Sequence, residues 1–153
     1  MSEINVHFVI YGKYKSYIIE KTILDYNEEE ELDNLKLKTI IDGVEYSNTK
    51  EFAEIEYAIV DIQKQLPTNI QIACCQSCKH GNFCPFGNAQ NEIFCLINYN
   101  PKSKMDVVDI FSSPAYEKLP KNELLFWCEK YQPIDDDYVY NDWTYHFKAG
   151  DDY

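Results

Sequence analysis

Residues 35–46, LKLKTIIDGVEY, place two runs of strand-forming residues on either side of an Asp-Gly pair. The alternation of apolar and polar side chains over 35–41 is typical of a strand with one buried face. Asp42 and Gly43 both tolerate the positive φ of a tight primed turn, so Asp-Gly is a strong hairpin signal. The stretch therefore predicts an antiparallel β-hairpin.

A second hairpin is predicted at the start of the chain. Residues 4–10 form an apolar, strand-like run, Gly12 and Lys13 offer a turn, and residues 17–24 return with further Ile and Leu. The acidic run 28–31 that follows is typical of a solvated loop. Together the two hairpins predict an antiparallel sheet.

One long helix is predicted over residues 49–66. Asn48 is a suitable cap, Glu51 stands three residues further on as the reciprocal capping partner, and Pro67 ends the helix. Apolar residues at steps of three and four form one stripe that should pack on a sheet face, namely Phe52, Ile55, Ile59, Ile62 and Leu66. The predicted fold class is therefore α+β, with the antiparallel sheet of N-terminal hairpins packed on this helix.

The region beyond the helix has weaker signals. Residues 69–73 predict a short strand that leads into a Cys-rich zinc loop, and the rest predicts an irregular C-terminal region. Short helices are expected over 103–111 and 121–131, and a last hairpin over 135–153. Since no linker or repeat divides the chain, we predict one domain over 1–153, with parts at 1–73 (sheet plus helix), 74–133 (Cys-rich, metal-binding) and 134–153 (acidic aromatic tail).

Composition places the chain among globular proteins. Its 153 residues are 45% hydrophobic, which is enough to bury a core without help from disulfides. The first residues lack the basic start and apolar run of a signal peptide, and no segment is apolar for long enough to span a membrane. We therefore expect a cytoplasmic protein, where six cysteines favour metal ligands or buried thiols over disulfides.

The charge balance indicates a class of partner. Fourteen lysines stand against 26 acidic residues, for a net charge of −12, and arginine is absent. Nucleic acid is a poor partner for such a chain, because phosphate binding needs a basic surface. An acidic surface attracts basic proteins, so we expect a basic protein partner, with neither nucleic acid nor membrane.

The cysteines indicate the chemistry. Cys75-x2-Cys78 can place two thiolates on one tight turn, and thiolates are preferred ligands of zinc, with iron as the alternative metal. By spacing alone Cys84 and Cys95 complete a local set of four sulfurs, and Cys84-Pro85 is similar to the end of some cluster-binding runs. Cys74 is expected to be a plain thiol, because neighbours on a strand point to opposite faces.

Two further motifs carry a resemblance. Cys78-Lys79-His80-Gly81, Phe94-Cys95-Leu96 and the later 127–133, WCEKYQP, resemble small bacterial modules written Cys-x2-Cys, Cys and Trp-Cys-x4-Pro. The central third, from Phe52 to Gly87, with the Trp-Cys motif, resembles an uncharacterised bacterial family of small Cys-bearing proteins that has no established activity. In that family the position of Cys84 is often filled by a residue that cannot bind metal. The resemblance therefore implies four metal ligands, Cys75, Cys78, Cys95 and Cys128, with Cys84 as the reserve.

Function is predicted only as a class. A closed site of four sulfurs is structural, since it leaves no open position for water or substrate. Phosphate-loop, zinc-protease and serine-hydrolase motifs are absent from the sequence. We expect a small acidic zinc-binding protein that binds a basic protein through its acidic aromatic tail, as an adaptor or a toxin-neutralising immunity protein does. The alternative is a redox or thiol-dependent enzyme that uses a metal or a free thiol at Cys74 or Cys84 beside Lys79 or His80.

Overall fold

The computed structural model describes residues 2–26, 32–87, 91–135, 138–141 and 143. The chain divides into two compact units, Met1–Ile72 and Ala73–Tyr153. Within the described residues there are eight strands in two sheets, but only two α-helices, of 11 and 8 residues. The predicted α+β fold with one long helix is therefore wrong, and the chain is mostly β. None of the described helices is both long and apolar enough to cross a membrane.

The first unit is built on a five-stranded sheet with strand order β4-β3-β2-β1-β5. Its strands are β1 (Ser2–Ile10), β2 (Lys13–Tyr26), β3 (Leu32–Ile41), β4 (Val44–Ser47) and β5 (Ile70–Ala73). Both predicted hairpins are confirmed, because β1 pairs antiparallel with β2 and β3 pairs antiparallel with β4. Asp42 and Gly43 have φ angles of 50° and 83°, the positive values that the Asp-Gly pair predicts.

Helix α1 (Ile55–Gln65) begins six residues after the predicted start at 49. The chain before it continues along β3 instead, where Leu35 and Phe52 exchange backbone hydrogen bonds of 2.7 and 3.0 Å. Asn48 does not cap a helix, because its side chain accepts from the Leu37 amide at 2.8 Å and donates to the Ala58 carbonyl at 2.8 Å. Pairing with β3 thus outcompetes the local capping signal.

The core of the first unit lies between the sheet and α1. Val6, Phe8, Ile19, Leu35 and Leu37 are fully buried on the sheet, and Ala58, Ile59, Val60 and Ile62 are fully or almost fully buried on the helix. Of the predicted apolar stripe, Ile59 and Ile62 are buried on the helix, Phe52 and Leu66 are buried just outside it, and Ile55 is only half-buried. Asp61 is also buried, and it accepts three hydrogen bonds, one from the Asn48 amide and two from Thr49.

The second unit contains a three-stranded sheet where a zinc loop and an irregular region were expected. Its strands are β6 (Gly81–Asn82), β7 (Glu92–Cys95) and β8 (Lys121–Glu123), in the order β6-β7-β8. The helix predicted at 103–111 is confirmed as α2 (Lys104–Phe111), with Ser103 accepting the Asp106 amide at 3.1 Å as its cap. The helix predicted at 121–131 is wrong, because this segment forms β8 and turns.

An apolar cluster fills the second unit. It consists of Cys84, Phe94, Leu96, Val107, Phe111 and Leu119. Phe94 and Phe111 meet edge to face at a centroid distance of 5.0 Å, an arrangement that aromatic rings favour. Tyr138 and Tyr140 are half-buried against the same cluster.

Candidate metal centre

The first part of the candidate site is a tight turn that carries Cys75 and Cys78. It begins where β5 ends, as a short 3-10 turn over Cys75–Ser77, and the Cys78 amide donates to the Cys75 carbonyl at 3.2 Å. Cys74 and Ser77 close the turn reciprocally, because the Cys74 amide donates to the Ser77 hydroxyl at 3.1 Å. The turn therefore places Cys75 and Cys78 close together, as their spacing predicts.

Gly81 lets the backbone return across this turn. A Cβ atom at Gly81 would lie 2.1 Å from the Cys75 carbonyl oxygen, so no other residue type fits without displacing the backbone. Gly81 also pairs directly with Cys95 of β7. The close approach at Gly81 thus aligns the strand that carries Cys95 with the Cys75–Ser77 turn.

A third segment, Leu124–Ile134, brings Cys128 alongside the same turn. The amides of Cys75 and Gln76 donate to the carbonyls of Phe126 and Leu124 at 2.8 and 3.2 Å. On the other side of the turn the Lys79 amide donates to Gln132 at 2.8 Å, and the Ile134 amide donates to Ser77 at 3.1 Å. In the chain, Cys128 lies between the residues that make these two sets of hydrogen bonds. It begins a second turn, which is closed by a hydrogen bond of 3.0 Å from the Tyr131 amide to the Cys128 carbonyl.

The pKa of the Cys75 thiol is affected by the other cysteines around it. This pKa is raised from 9.0 to about 12, first by burial and then by negative charge on Cys74, Cys78, Cys128 and Cys95. Burial also raises the pKa of Cys78, against hydrogen bonds from the backbone of Gln132 and His80, while charge on Cys95 and Cys128 adds to the rise. Cys75 and Cys78 are therefore close enough to Cys95 and Cys128 for charge on those two thiols to affect them.

Electrostatic interaction between thiols does not require the close arrangement that a shared metal ion needs. Within the ranges that the structure describes, no group of three or more His, Cys, Asp or Glu side chains is arranged to hold a metal ion as it stands. Charge acts over longer distances than a zinc–sulfur bond of about 2.3 Å. For the four sulfurs to share one ion, their side chains would have to turn towards a common point.

The other two cysteines have different surroundings. Cys84 is buried in the apolar cluster with Phe94 and Phe111. Cys74 is buried as well, and burial raises its pKa to about 11 against opposing hydrogen bonds from Ser77 and Gln76. Neither is the exposed thiol that an activated nucleophile requires.

Three neighbours of the cysteines were missed by sequence reasoning. Asn122 donates its side-chain amide to the Cys75 sulfur at 3.9 Å, and the Tyr131 hydroxyl lies 3.0 Å from the Ser77 hydroxyl. Of the three, Gly81 could have been identified from the sequence. It follows Cys78 by three residues, and a glycine just after a Cys-x2-Cys turn favours close approach of the backbone. Asn122 and Tyr131 lie more than 40 residues from their partners, and no local pattern marks them.

The predicted acidic aromatic tail is only partly described. Asp136 and Asp137, residue 142 and residues 144–153, including His146, lie outside the described residues, as does most of the predicted last hairpin. Tyr140 is tied to the second unit by backbone hydrogen bonds, because its carbonyl accepts the Phe83 amide at 2.9 Å and its amide donates to the Asn82 side chain. Lys104 lies over its ring at 5.8 Å. The described tyrosines of the tail therefore serve packing.

No protein-family model matches this chain, and no curated protein or solved structure shows significant similarity to it. The resemblance to an uncharacterised bacterial family thus stays a prediction that depends on the cysteine motifs themselves.

Proposed function

We propose that this chain is a cytoplasmic zinc-binding protein whose second unit is stabilised by one metal ion on Cys75, Cys78, Cys95 and Cys128. In this proposal the metal is structural, and the protein acts by binding a basic protein, as an adaptor or an immunity protein does.

The observation that carries the metal proposal is the pairing of three chain segments that bear the four cysteines, and negative charge on Cys95 and Cys128 contributes to the raised pKa of Cys75 and Cys78. Backbone hydrogen bonds and strand pairing join the three segments that carry these cysteines: the Cys75–Ser77 turn, β7 and the segment 124–134. Deprotonating four neighbouring thiols without a cation is unfavourable, since each negative charge raises the pKa of the next. A divalent cation removes this penalty and couples its own binding to folding.

The surroundings of Cys78 also support a metal-bound thiolate. Burial raises the pKa of Cys78, and hydrogen bonds with the backbone of Gln132 and His80 oppose this rise because they stabilise the charged sulfur. Groups that hydrogen-bond to a metal ligand orient that ligand and compensate its charge. Zinc is proposed before iron because it binds four thiolates in a closed tetrahedron without redox chemistry.

Cys128 provides the sharpest test of the ligand set. Cys128→Ser should reduce the zinc content of the purified protein from one ion per chain to well below one, since a hydroxyl is a poor zinc ligand. Cys84→Ser is the matched control, because it makes the same atomic change in the apolar cluster and should leave the zinc content unchanged. Elemental analysis of freshly purified protein gives the answer. Zinc retained in Cys128→Ser but lost in Cys84→Ser would replace Cys128 with Cys84, and wild-type protein without metal would overturn the proposal.

The alternative of a thiol-dependent enzyme has less support. It requires an exposed, activated cysteine outside the ligand set, whereas Cys74 and Cys84 are both buried. The binding role is supported by the net charge of −12, which attracts cationic partners and speeds their encounter.

A further inference from the structure

One face of the sheet in the first unit carries apolar side chains that remain half exposed. Residues directly opposite on neighbouring antiparallel strands share a face. Val6, Phe8 and Ile19 lie on the face that is buried, whereas Ile18 and Ile40 lie on the other and are 47% and 55% exposed. A central strand and its neighbour thus present a pair of isoleucines to solvent, which is typical of an interaction surface when polar residues surround it.

These isoleucines lie in a groove of about 470 Å³. The groove crosses β1, β2 and β3, and its lining includes Glu3, Asn5, Glu20 and Lys38 beside the two isoleucines. All of these residues belong to the first unit. The groove is therefore formed within one compact unit.

The charges of the groove are unbalanced towards negative. Lys38 is shared between two carboxylates, with its Nζ 3.3 Å from Glu20 and 3.8 Å from Glu45. Glu3 lies directly opposite Glu20 in the pairing of β1 with β2. Like charges directly opposite on a sheet destabilise it, and the residues that line the groove include two carboxylates, Glu3 and Glu20, against one lysine, Lys38. A cation supplied by a partner would relieve this repulsion.

We propose that the groove binds a segment of a basic protein that presents a lysine or arginine beside an apolar side chain. The cation would lie at Glu3 and Glu20, and the apolar side chain on Ile18 and Ile40. This inference rests on the proposed binding function and relocates its interface from the tail to the sheet. A second copy of this chain fits the groove poorly, because it brings the same excess of carboxylates and a further charge of −12.

The test uses full-length, metal-loaded, isotope-labelled protein and a hexapeptide that alternates lysine and valine. Backbone amide chemical shifts should change in β1, β2 and β3 around the groove, and an otherwise identical peptide with glutamate in place of lysine should have no effect. Ile40→Lys should weaken binding at least about tenfold, because it removes apolar surface and adds a positive charge in the groove.

Val44→Lys is the matched control. Val44 is 51% exposed and lies opposite the buried Ile41, hence on the other face of the sheet. Its substitution makes the same change in charge and should alter affinity less than about twofold, because it is remote from the groove. Equal weakening by both variants would mean non-specific attraction of charge and would overturn the proposal.

Further outcomes would also contradict the proposal that the groove binds a basic protein. Shift changes confined to the second unit would move the interface there and leave the proposed binding function intact. Equal binding of the glutamate peptide, or no binding of either peptide, would overturn the proposal that the partner is basic. The zinc content of the same samples would still test the metal centre independently. Dimers in analytical ultracentrifugation, with groove shifts that depend on protein concentration, would identify a second copy as the occupant.

Discussion

At the scale of single residues, Gly81 has the strictest steric requirement among the described glycines. The backbone of Cys75 occupies the space that a side chain at Gly81 would need, with the carbonyl oxygen 2.1 Å and the carbonyl carbon 3.2 Å from an added Cβ. Both of these atoms are backbone and neither can turn aside. Even the smallest side chain would therefore separate β6 from the turn that carries Cys75 and Cys78.

Gly81→Ala should accordingly lower the free energy of unfolding by about 3 kcal/mol or more, in the range of overpacked core sites. Gly87→Ala is the control, because Gly87 has a positive φ of 75° but nothing within 4 Å of an added Cβ. Only its backbone strain remains, about 1–2 kcal/mol. Urea unfolding of both variants measures the difference, and losses of equal size would show that the contact with Cys75 is easily relieved.

At the scale of elements, a buried polar cluster determines how the chain enters α1. Asp61 lies on the helix and accepts hydrogen bonds from Asn48 and from the amide and hydroxyl of Thr49, at distances of 2.8–3.1 Å. Removing Asp61 would take one acceptor from the buried side-chain amide of Asn48, which keeps the Ala58 carbonyl, and both hydrogen bonds from the exposed Thr49, and the loss at a buried amide is costly.

Asp61→Ala should therefore destabilise the protein by about 2–4 kcal/mol in urea unfolding.

Glu51→Ala separates the observed helix from the one that sequence alone predicts. Glu51 would be a capping partner if the helix began at 49, but α1 begins at Ile55, and the substitution should change stability by less than about 0.5 kcal/mol. A loss above about 1 kcal/mol for Glu51→Ala would restore the capping box.

At the scale of the whole molecule, the division into two units predicts a local response to metal removal. Amides that connect the Cys75–Ser77 turn with segment 124–134, such as those of Cys75, Lys79 and Ile134, depend on the proposed metal centre. Chelation should raise their hydrogen-exchange rates by about tenfold or more, because metal binding contributes to folding free energy.

The amides of α1, in the first unit, should exchange at nearly the same rate before and after chelation. Mass spectrometry of exchanged peptides measures both regions in one sample. Equal acceleration in α1 would show that the two units unfold together, and unchanged exchange around Cys75 after complete loss of zinc would show that the metal does not stabilise the turn.

Local signals predicted the parts of the fold that local physics controls. The Asp-Gly turn, the alternation in β3 and the Ser103 cap all depend on residues within a few positions, and each is observed. The Cys-x2-Cys spacing likewise suffices to place Cys75 and Cys78 on one turn. For the candidate metal site, sequence thus determined the first pair of neighbouring cysteines.

Only the tertiary structure decided what depends on distant partners. The start of α1 at Ile55 follows from the pairing of Phe52 with Leu35, and β7 exists because it has β6 on one side and β8 on the other. Cys128 approaches Cys75 because backbone hydrogen bonds join segments about 50 residues apart. Such bonds form only when packing has brought the segments together, and no short-range pattern encodes that proximity.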